Sequence, residues 1–381
     1  MKQFLSGVQM EDYIIILNII EEVFIGKNLS EIFAKYINET KNSLNIGKIK
    51  DISYGLLRYY NKIDNILKIL IKKKPNNYKV LIILLIAIYE VNYSKKPKFA
   101  ICNDLVNFAY FLTKSIKLKN FINGVIRNYL RNIEYIEKKL ESNIEYKYNF
   151  PLWWIEKLKK DIPKNYNEVL SNLNVIPKLA LRINLKKIKF NDYLQLLKKE
   201  NLSFKIIDNK IVLEDNLNIN QIPLFKNGTV SVQDISAQKL LDLINFNDGD
   251  YVLDACSAPG GKSCQILENN KVELIALDIN ENRLKKVKEN FERLNLSAKI
   301  VCADASNLKW WDNKKFDVII ADVPCSASGT IRKNPDIKLH RKLADIQNFV
   351  YTQQKIVLNL WQTLKINGQL VYITCSIFKE E

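Results

Sequence analysis

The hydrophobic rhythm of the chain changes twice. Over residues 11–138 apolar positions recur at helical spacing, in segments 13–24, 29–36, 49–60, 63–72, 79–91 and 99–116, separated by short polar breaks such as Lys74-Pro75-Asn76-Asn77. An all-helical domain over 1–138 is predicted. Its longest apolar run, 80–88, is far too short to span a bilayer and reads as a buried core helix. Over 139–228 the pattern is mixed. Helical spacing at 153–160 and 166–173 gives way to strand-like runs at 181–185, 204–207 and 210–213. Asp208-Asn209 supplies a hairpin turn between the last two, which predicts a small α+β module. Trp153 and Trp154 read there as helix-packing aromatics rather than base-stacking platforms. From 229 to 381 strands alternate with helices, and Asp234 is placed to cap the first of them. Runs at 230–232, 251–254, 273–277, 298–302, 316–321 and 369–374 predict a doubly wound, mostly parallel sheet.

Charge adds a partner class. With 58 Lys and Arg against 41 Asp and Glu, the 381-residue chain carries a net +17. A polyanionic partner accounts for such an excess, and so in part does a general bias toward Lys, Ile and Asn. Lys95, Lys96, Lys98, Lys114, Lys117, Lys119, Arg127 and Arg131 of the helical region fit RNA contact as well as they fit a solvated scaffold. The six cysteines, at 102, 256, 264, 302, 325 and 375, form no Cys-x-x-Cys pair. Neither a zinc site nor a thioredoxin motif is indicated, and reduced thiols in a cytosol fit better than disulfides. The single histidine, His340, excludes a multi-histidine metal site and argues against a histidine-based triad. Acid–base chemistry is left to Asp, Glu, Lys or Cys. The start of the chain carries no targeting pattern, so a soluble, cytoplasmic protein without membrane contact is expected.

The candidate chemistry lies in the alternating part. Tyr251-Val252-Leu253-Asp254 is a strand that ends in a tight loop, Ala255-Cys256-Ser257-Ala258-Pro259-Gly260-Gly261-Lys262, and opens a helix. Such a corner of an α/β sheet cradles phosphates or cofactors. It has neither the P-loop spacing nor Gly-x-Gly-x-x-Gly, so a dinucleotide is not its natural tenant. Asp278 closes the next strand about 20 residues on, where a ribose hydroxyl pair is held in such folds. Asp304 follows the strand after that. The strand 317–320 runs into Ala321-Asp322-Val323-Pro324-Cys325-Ser326-Ala327-Ser328-Gly329, and the last strand into Tyr372-Ile373-Thr374-Cys375-Ser376. Two thiols just past strand ends on one rim, without disulfide or metal spacing, point to nucleophilic chemistry.

These stretches, with Asn334-Pro335-Asp336 and Ser231-Val232-Gln233-Asp234-Ile235-Ser236-Ala237-Gln238, give the chain its resemblance. It resembles the S-adenosylmethionine-dependent RNA cytosine-5 methyltransferases, and among them the Sun (RsmB) family acting on 16S ribosomal RNA. Gly55-Leu56-Leu57-Arg58 and Phe121-Ile122-Asn123-Gly124-Val125-Ile126-Arg127 are similar to the NusB-type RNA-binding fold. The resemblance implies three parts. These are an all-α NusB-like domain over 1–138, a small α+β RNA-binding or linker module over 139–228, and a Rossmann-like class I methyltransferase sheet over 229–381. It implies S-adenosylmethionine as cofactor, small-subunit ribosomal RNA as partner, and a monomer.

The resemblance also assigns roles. Cys375 would add to carbon 6 of the cytosine, and Cys325 would assist breakdown of the adduct. Asp322 would hydrogen-bond the ring as charge develops. Lys262 would steady the thiolate or the base, or form a structural ion pair. DNA cytosine methyltransferases attack from a Pro-Cys like Pro324-Cys325, so the residues alone leave the two thiol roles open. Cys256, Ser257, Ala258, Pro259, Gly260, Gly261 and Lys262 would wrap the methionine part of the cofactor, with Asp322 at its edge. Asp278 would hold the ribose and Asp304 the adenine. Relatives continue beyond Glu381 into two closing strands, so the strand 369–374 is expected at or near a sheet edge, either in a fragment or covered by another element. Ser257, Ser263 and Ser328 replace commoner Ala, Thr and Thr. The rival readings are a tRNA cytosine-5 methyltransferase and an RNA-binding assembly factor with a decayed catalytic domain.

Overall fold

The computed structural model describes residues 7–39, 44–215 and 217–381. The chain forms two units, Met1–Ile176 with Ser328–Leu343, and Pro177–Ala327 with Ala344–Glu381. In the first, helices α1 (Gly7–Phe24), α2 (Leu29–Glu39), α3 (Ile46–Arg58), α4 (Tyr60–Leu70), α5 (Tyr78–Tyr93), α6 (Lys98–Thr113) and α7 (Ile116–Arg131) pack around α5. That helix is apolar on every side, which only the middle of a bundle accommodates, and Val80 through Val91 are buried without a break. The polar break before it starts the helix: the Asn77 side chain accepts from the amides of Lys79 and Val80. Helix α3 approaches closely enough that a Cβ at Gly55 would lie 2.0 Å from the Tyr89 hydroxyl, so only glycine fits.

Four further helices follow, α8 (Ile133–Leu140), α9 (Ile144–Tyr148), α10 (Leu152–Asp161) and α11 (Tyr166–Leu173), and they belong to this unit. The pattern placed its end near residue 138. The unit runs on to Ile176 because Trp154 is fully buried against Phe150, and because Asn149 bonds the Arg58 carbonyl and the Lys62 amide. Trp154 is thus a packing aromatic.

The stretch Ser328–Leu343 is embedded in this helical unit although it lies within the strand-alternating part of the sequence. Asp336 accepts from the Leu29 amide at the start of α2 (3.2 Å), and the His340 Nε2–H donates to the Val23 carbonyl (2.8 Å). Lys338 is almost wholly buried, and its ammonium donates to the carbonyls of Arg58 (2.6 Å) and Asn149 (3.0 Å) and to Asn174 Oδ1 (3.3 Å). Burial, and secondarily the Arg58 charge, hold the Lys338 pKa well below the usual lysine range.

In the second unit a four-stranded antiparallel sheet has the order β2-β3-β1-β4, with β1 Ala180–Ile183, β2 Phe204–Ile207, β3 Lys210–Leu213 and β4 Val230–Val232. Asp208 and Asn209 both have positive φ (47° and 57°), as a type I′ hairpin turn requires. Helix α12 (Phe190–Lys199) covers this sheet with Tyr193 and Leu197, so the predicted small α+β module is present. The run 230–232, expected in the parallel sheet, instead pairs antiparallel with β1 and belongs to this one.

The larger sheet is parallel throughout, in the order β7-β6-β5-β8-β9. Its strands are β5 (Tyr251–Ala255), β6 (Glu273–Asp278), β7 (Lys299–Cys302), β8 (Phe316–Asp322) and β9 (Leu364–Ile373). Val252, Leu274, Ala276, Val318 and Ile320 face one core with helices α14 (Gly261–Asn269) and α15 (Glu281–Leu294), reached through α13 (Ile235–Gln238). Leu253, Ile275, Leu277, Ile319 and Ala321 face the other, against the helix Leu343–Gln362. Both faces are covered, so the strands read as continuous apolar runs. Strand order reverses between β5 and β8, and crevices at the carboxyl ends beside such a switch bind ligands. Strand β9 lies at the edge, as expected, and begins earlier than residue 369 because its pairing with β8 shifts register at Phe316/Val318. Among the described residues no helix is long and apolar enough to cross a membrane.

Replacing Lys338 by alanine would take a donor from three oxygens: the Arg58 carbonyl and Asn174 Oδ1 would keep the Asn149 side-chain amide, and the Asn149 carbonyl would lose the Lys338 ammonium at 3.0 Å. The helical unit should lose about 3 kcal/mol, read as a lower urea midpoint at unchanged slope.

Candidate active site

The carbonyls of the loop after β5 are taken partly by its own turn and helix and partly by side chains from elsewhere. Gly260 donates to the Ser257 carbonyl (2.7 Å), Arg283 to Ala258 (2.6 Å), Asn290 to Pro259 (3.0 Å), Cys264 to Gly260 (2.9 Å) and Arg182 to Gly261 (2.8 Å). Ser257 in turn donates to Leu277 at the end of β6 (2.9 Å). Gly260 has φ +92°, and a Cβ there would press to 3.1 Å from Val287, so the turn needs glycine twice over. Beside Gly261, by contrast, a Cβ would meet nothing within 4 Å.

Beneath the loop, Asp254 is completely buried. Its Oδ2 accepts from the Ser263 hydroxyl, while its Oδ1 and the Ser257 hydroxyl have no partner among the described residues. Burial pushes Asp254 up to about 7, against the opposing pull of Ser263 and Lys262. Asp278 is equally sunk. Its Oδ2 accepts from the Ala258 amide (3.1 Å) and faces Arg283 (3.5 Å), and its Oδ1 accepts from Asn280 (3.0 Å). Asp304 closes a turn with the Ser306 amide and hydroxyl (both 2.8 Å). Burial opposes its ionisation, but these donors and Asn307 outweigh it and lower its pKa.

On the other side of the switch, Lys262 forms an ion pair with Asp322 at the end of β8 (2.5 Å). The two thiols meet here: Cys325 Sγ lies 3.3 Å from Cys375 Sγ. At that distance a thiol on either sulfur can donate to the other. With the proton on Cys375, its bond to the Cys325 thiolate, aided by the backbone amides of Ala327 and Cys375, overcomes burial and brings Cys325 down to about 7. The same bond, then burial, then the Cys325 and Asp322 charges push Cys375 up, and Lys262 works in the opposite direction. Either sulfur can be the donor, so the low value belongs to the pair. Cys375 is the exposed member and Cys325 the buried one. The remaining loop thiol, Cys256, is pushed up to about 12 by burial and then by Asp278, Asp322 and Asp254.

The residues singled out from sequence therefore gather along one rim of the sheet, past the carboxyl ends of β5, β6, β7, β8 and β9. A carboxylate behind the thiols was not anticipated. Glu381 accepts from the Ser326 amide (2.7 Å), the Ser376 hydroxyl (2.7 Å) and Gln353 (3.2 Å), and the hydroxyls of Ser326 and Ser376 lie 3.1 Å apart. Arg182, Arg283 and Asn290 were missed as well. Each is a polar residue whose partner is remote in sequence, and the one available signal was Arg182, a charge inside a short apolar strand. Alkylation of the Cys325/Cys375 pair should rise with pH about an apparent pKa near 7. Cys256 should stay unreactive until pH approaches about 12. Peptide mass spectrometry after timed iodoacetamide treatment reads both.

Three family models match the chain in order: the NusB family over residues 12–131, the ferredoxin-like domain of RsmF/B-like methyltransferases over 150–220, and the 16S rRNA methyltransferase RsmB/F over 241–381. Ribosomal RNA small subunit methyltransferase B of Vibrio vulnificus is 37% identical over 336 residues, 86% of this chain and 79% of that protein. Its counterpart in Pasteurella multocida is 34% identical over 378 residues, 96% and 83% of the two chains. The crystal structure of PH0851 shares the fold, with a TM-score of 0.78 at 20% identity over 100% of this chain and 88% of that one. With a helical domain, an α+β module and a parallel sheet matched in the same order along most of its length, this chain belongs to the RsmB family of 16S rRNA methyltransferases.

Proposed function

We propose that this protein methylates carbon 5 of a cytosine in 16S ribosomal RNA, through a transient bond between Cys375 and carbon 6 of the base. The observation that carries the reading is the sulfur pair, 3.3 Å apart beside the Lys262–Asp322 ion pair on the rim of the sheet. Carbon 5 of cytosine is too weak a nucleophile to take a methyl unaided. A Cys375 thiolate forming a bond to carbon 6 pushes the ring's electrons onto carbon 5. After methylation the proton on carbon 5 is removed, and its electron pair restores the ring double bond as the carbon–sulfur bond breaks. Exposure suits Cys375 to the attack. Burial and a pKa near 7 for the pair suit Cys325 to exchanging the proton. Asp322, fixed by Lys262, hydrogen-bonds the ring as charge develops.

S-adenosylmethionine supplies the electrophilic methyl. The loop Cys256 to Lys262 fits it: Asp254 Oδ1 and the Ser257 hydroxyl are buried without partners among the described residues, and space is open beside Gly261. In this reading Asp278 keeps one acceptor position for a ribose hydroxyl after serving Ala258, Asn280 and Arg283. Asp304 takes the adenine edge. The target base must leave its stack, at a cost of a few kcal/mol that is smallest in a single-stranded loop. Phosphate contacts from the excess of basic residues hold the RNA and make binding strongly salt-dependent.

Labelled methyl from S-adenosylmethionine should enter small-subunit RNA, and Cys375→Ala should reduce the rate at least about 10³-fold. Cys325→Ala should instead accumulate a protein–RNA adduct that survives a denaturing gel. An adduct in Cys375→Ala and none in Cys325→Ala reverses the two roles. Label entering tRNA alone identifies a tRNA enzyme, and a folded wild-type chain that transfers none is an RNA-binding factor.

A further inference from the structure

We propose that Arg182 is a positioning residue of the methyl-transfer site, through which the small antiparallel sheet sets the shape of the cofactor loop. The inference rests on the preceding reading of that loop. Arg182 stands on β1 with its side chain 7% exposed. Its Nε and Nη2 form a bidentate pair with Glu268 (both 3.1 Å), and its Nη1 donates to Gln233 Oε1 and to the Gly261 carbonyl (both 2.8 Å). Gly261 opens α14 and Glu268 lies near its end. One guanidinium therefore grips both ends of the helix that the loop leads into, and fixes its rotation and its advance along the axis.

Three buried amides complete the grip. Gln233 donates to Gln265 Oε1 (3.0 Å), Gln265 to the Gln238 carbonyl (2.7 Å), and Gln238 to the Gln233 carbonyl (2.9 Å), which closes a ring. Gly261, Gln265 and Glu268 are spaced four and three apart, so they share one face of α14. That face is buried yet polar. Apolar side chains there would bind the helix to its neighbour as firmly, because a buried ion pair gives little net stability over a hydrophobic replacement. What the polar network adds is direction: each donor accepts only one placement of its acceptor. The residue it places is Gly261, next to Lys262, whose ammonium holds Asp322 at the reacting edge. A shift at Gly261 is thus transmitted to the cofactor loop and to the ion pair together.

The test is the replacement of the pair by apolar side chains, Arg182→Met with Glu268→Leu, alongside Arg182→Lys, which keeps the charge but cannot reach Glu268 and Gly261 at once. S-adenosylmethionine binding is measured by calorimetry, RNA binding by filter retention at fixed salt, and folding by the thermal midpoint. A positioning role predicts at least tenfold weaker cofactor binding in both variants, RNA binding within twofold of wild type, and a double variant that still unfolds in one cooperative transition, its midpoint lowered only by the loss of the donor to Gly261 and Gln233. Cofactor binding restored to the wild-type value in the double variant makes Arg182 merely structural and overturns the proposal. If the double variant does not fold, Arg182→Lys decides by the same binding ratio. Wild-type protein that binds no S-adenosylmethionine overturns the reading of the loop itself, a result distinct from the other two.

Discussion

The site depends on the parallel pairing of β8 with β9, in which Asp322 stands opposite Ile373. Cys325 follows Asp322 by one short loop and Cys375 follows Ile373 by another, and the Val323 amide bonds the Ile373 carbonyl to continue the register past the strand ends (3.1 Å). A slip of one residue would turn one of the two strands over and carry its thiol to the opposite face. The register is secured by the buried side chains of β8, with Val318 and Ile320 toward one core and Ile319 and Ala321 toward the other. Two sulfurs separated by a long helix in the chain are brought together by sheet geometry rather than by any local motif.

Around that pairing the molecule spends polar groups on holding backbone. The carbonyls of the glycine-rich corner are taken by α15 and β1, and the amide after Cys325 by Glu381. Fixing these segments in advance lowers the reorganisation needed when charge moves between sulfur, ring and carboxylate. The electrostatics follow from the same packing. Burial raises Cys256 to about 12, so that thiol is neutral near pH 7, whereas Asp254, raised to about 7, titrates there together with the sulfur pair, whose members are each other's partners.

The architecture was legible because burial imposes a period on the sequence. Strands β5 and β6 are covered on both faces and read as unbroken apolar runs, α5 is greasy all round, and Asp208-Asn209 adopts the positive φ values its residue types allow. The strand-end acids and thiols were legible as a set because a parallel sheet sends every carboxyl end to one edge. What eluded sequence was partnership. Lys262 meets Asp322, Arg182 meets Glu268, and Glu381 meets Ser326, all across long separations, and a charged residue gives no local sign of which opposite charge it will find. Lys338 was the most hidden. In so lysine-rich a chain it looks like one more solvated cation, yet it is among the most deeply buried.

The capture of Ser328–Leu343 by the helical bundle means that neither unit is a continuous piece of the gene. Severing the polypeptide near residue 176 would part Asp336, Lys338 and His340 from Leu29, Arg58, Asn149 and Val23, and leave a buried lysine without its acceptors. Modular reuse of the catalytic half, by recombination or in the laboratory, therefore has to carry the bundle along or redesign that excursion.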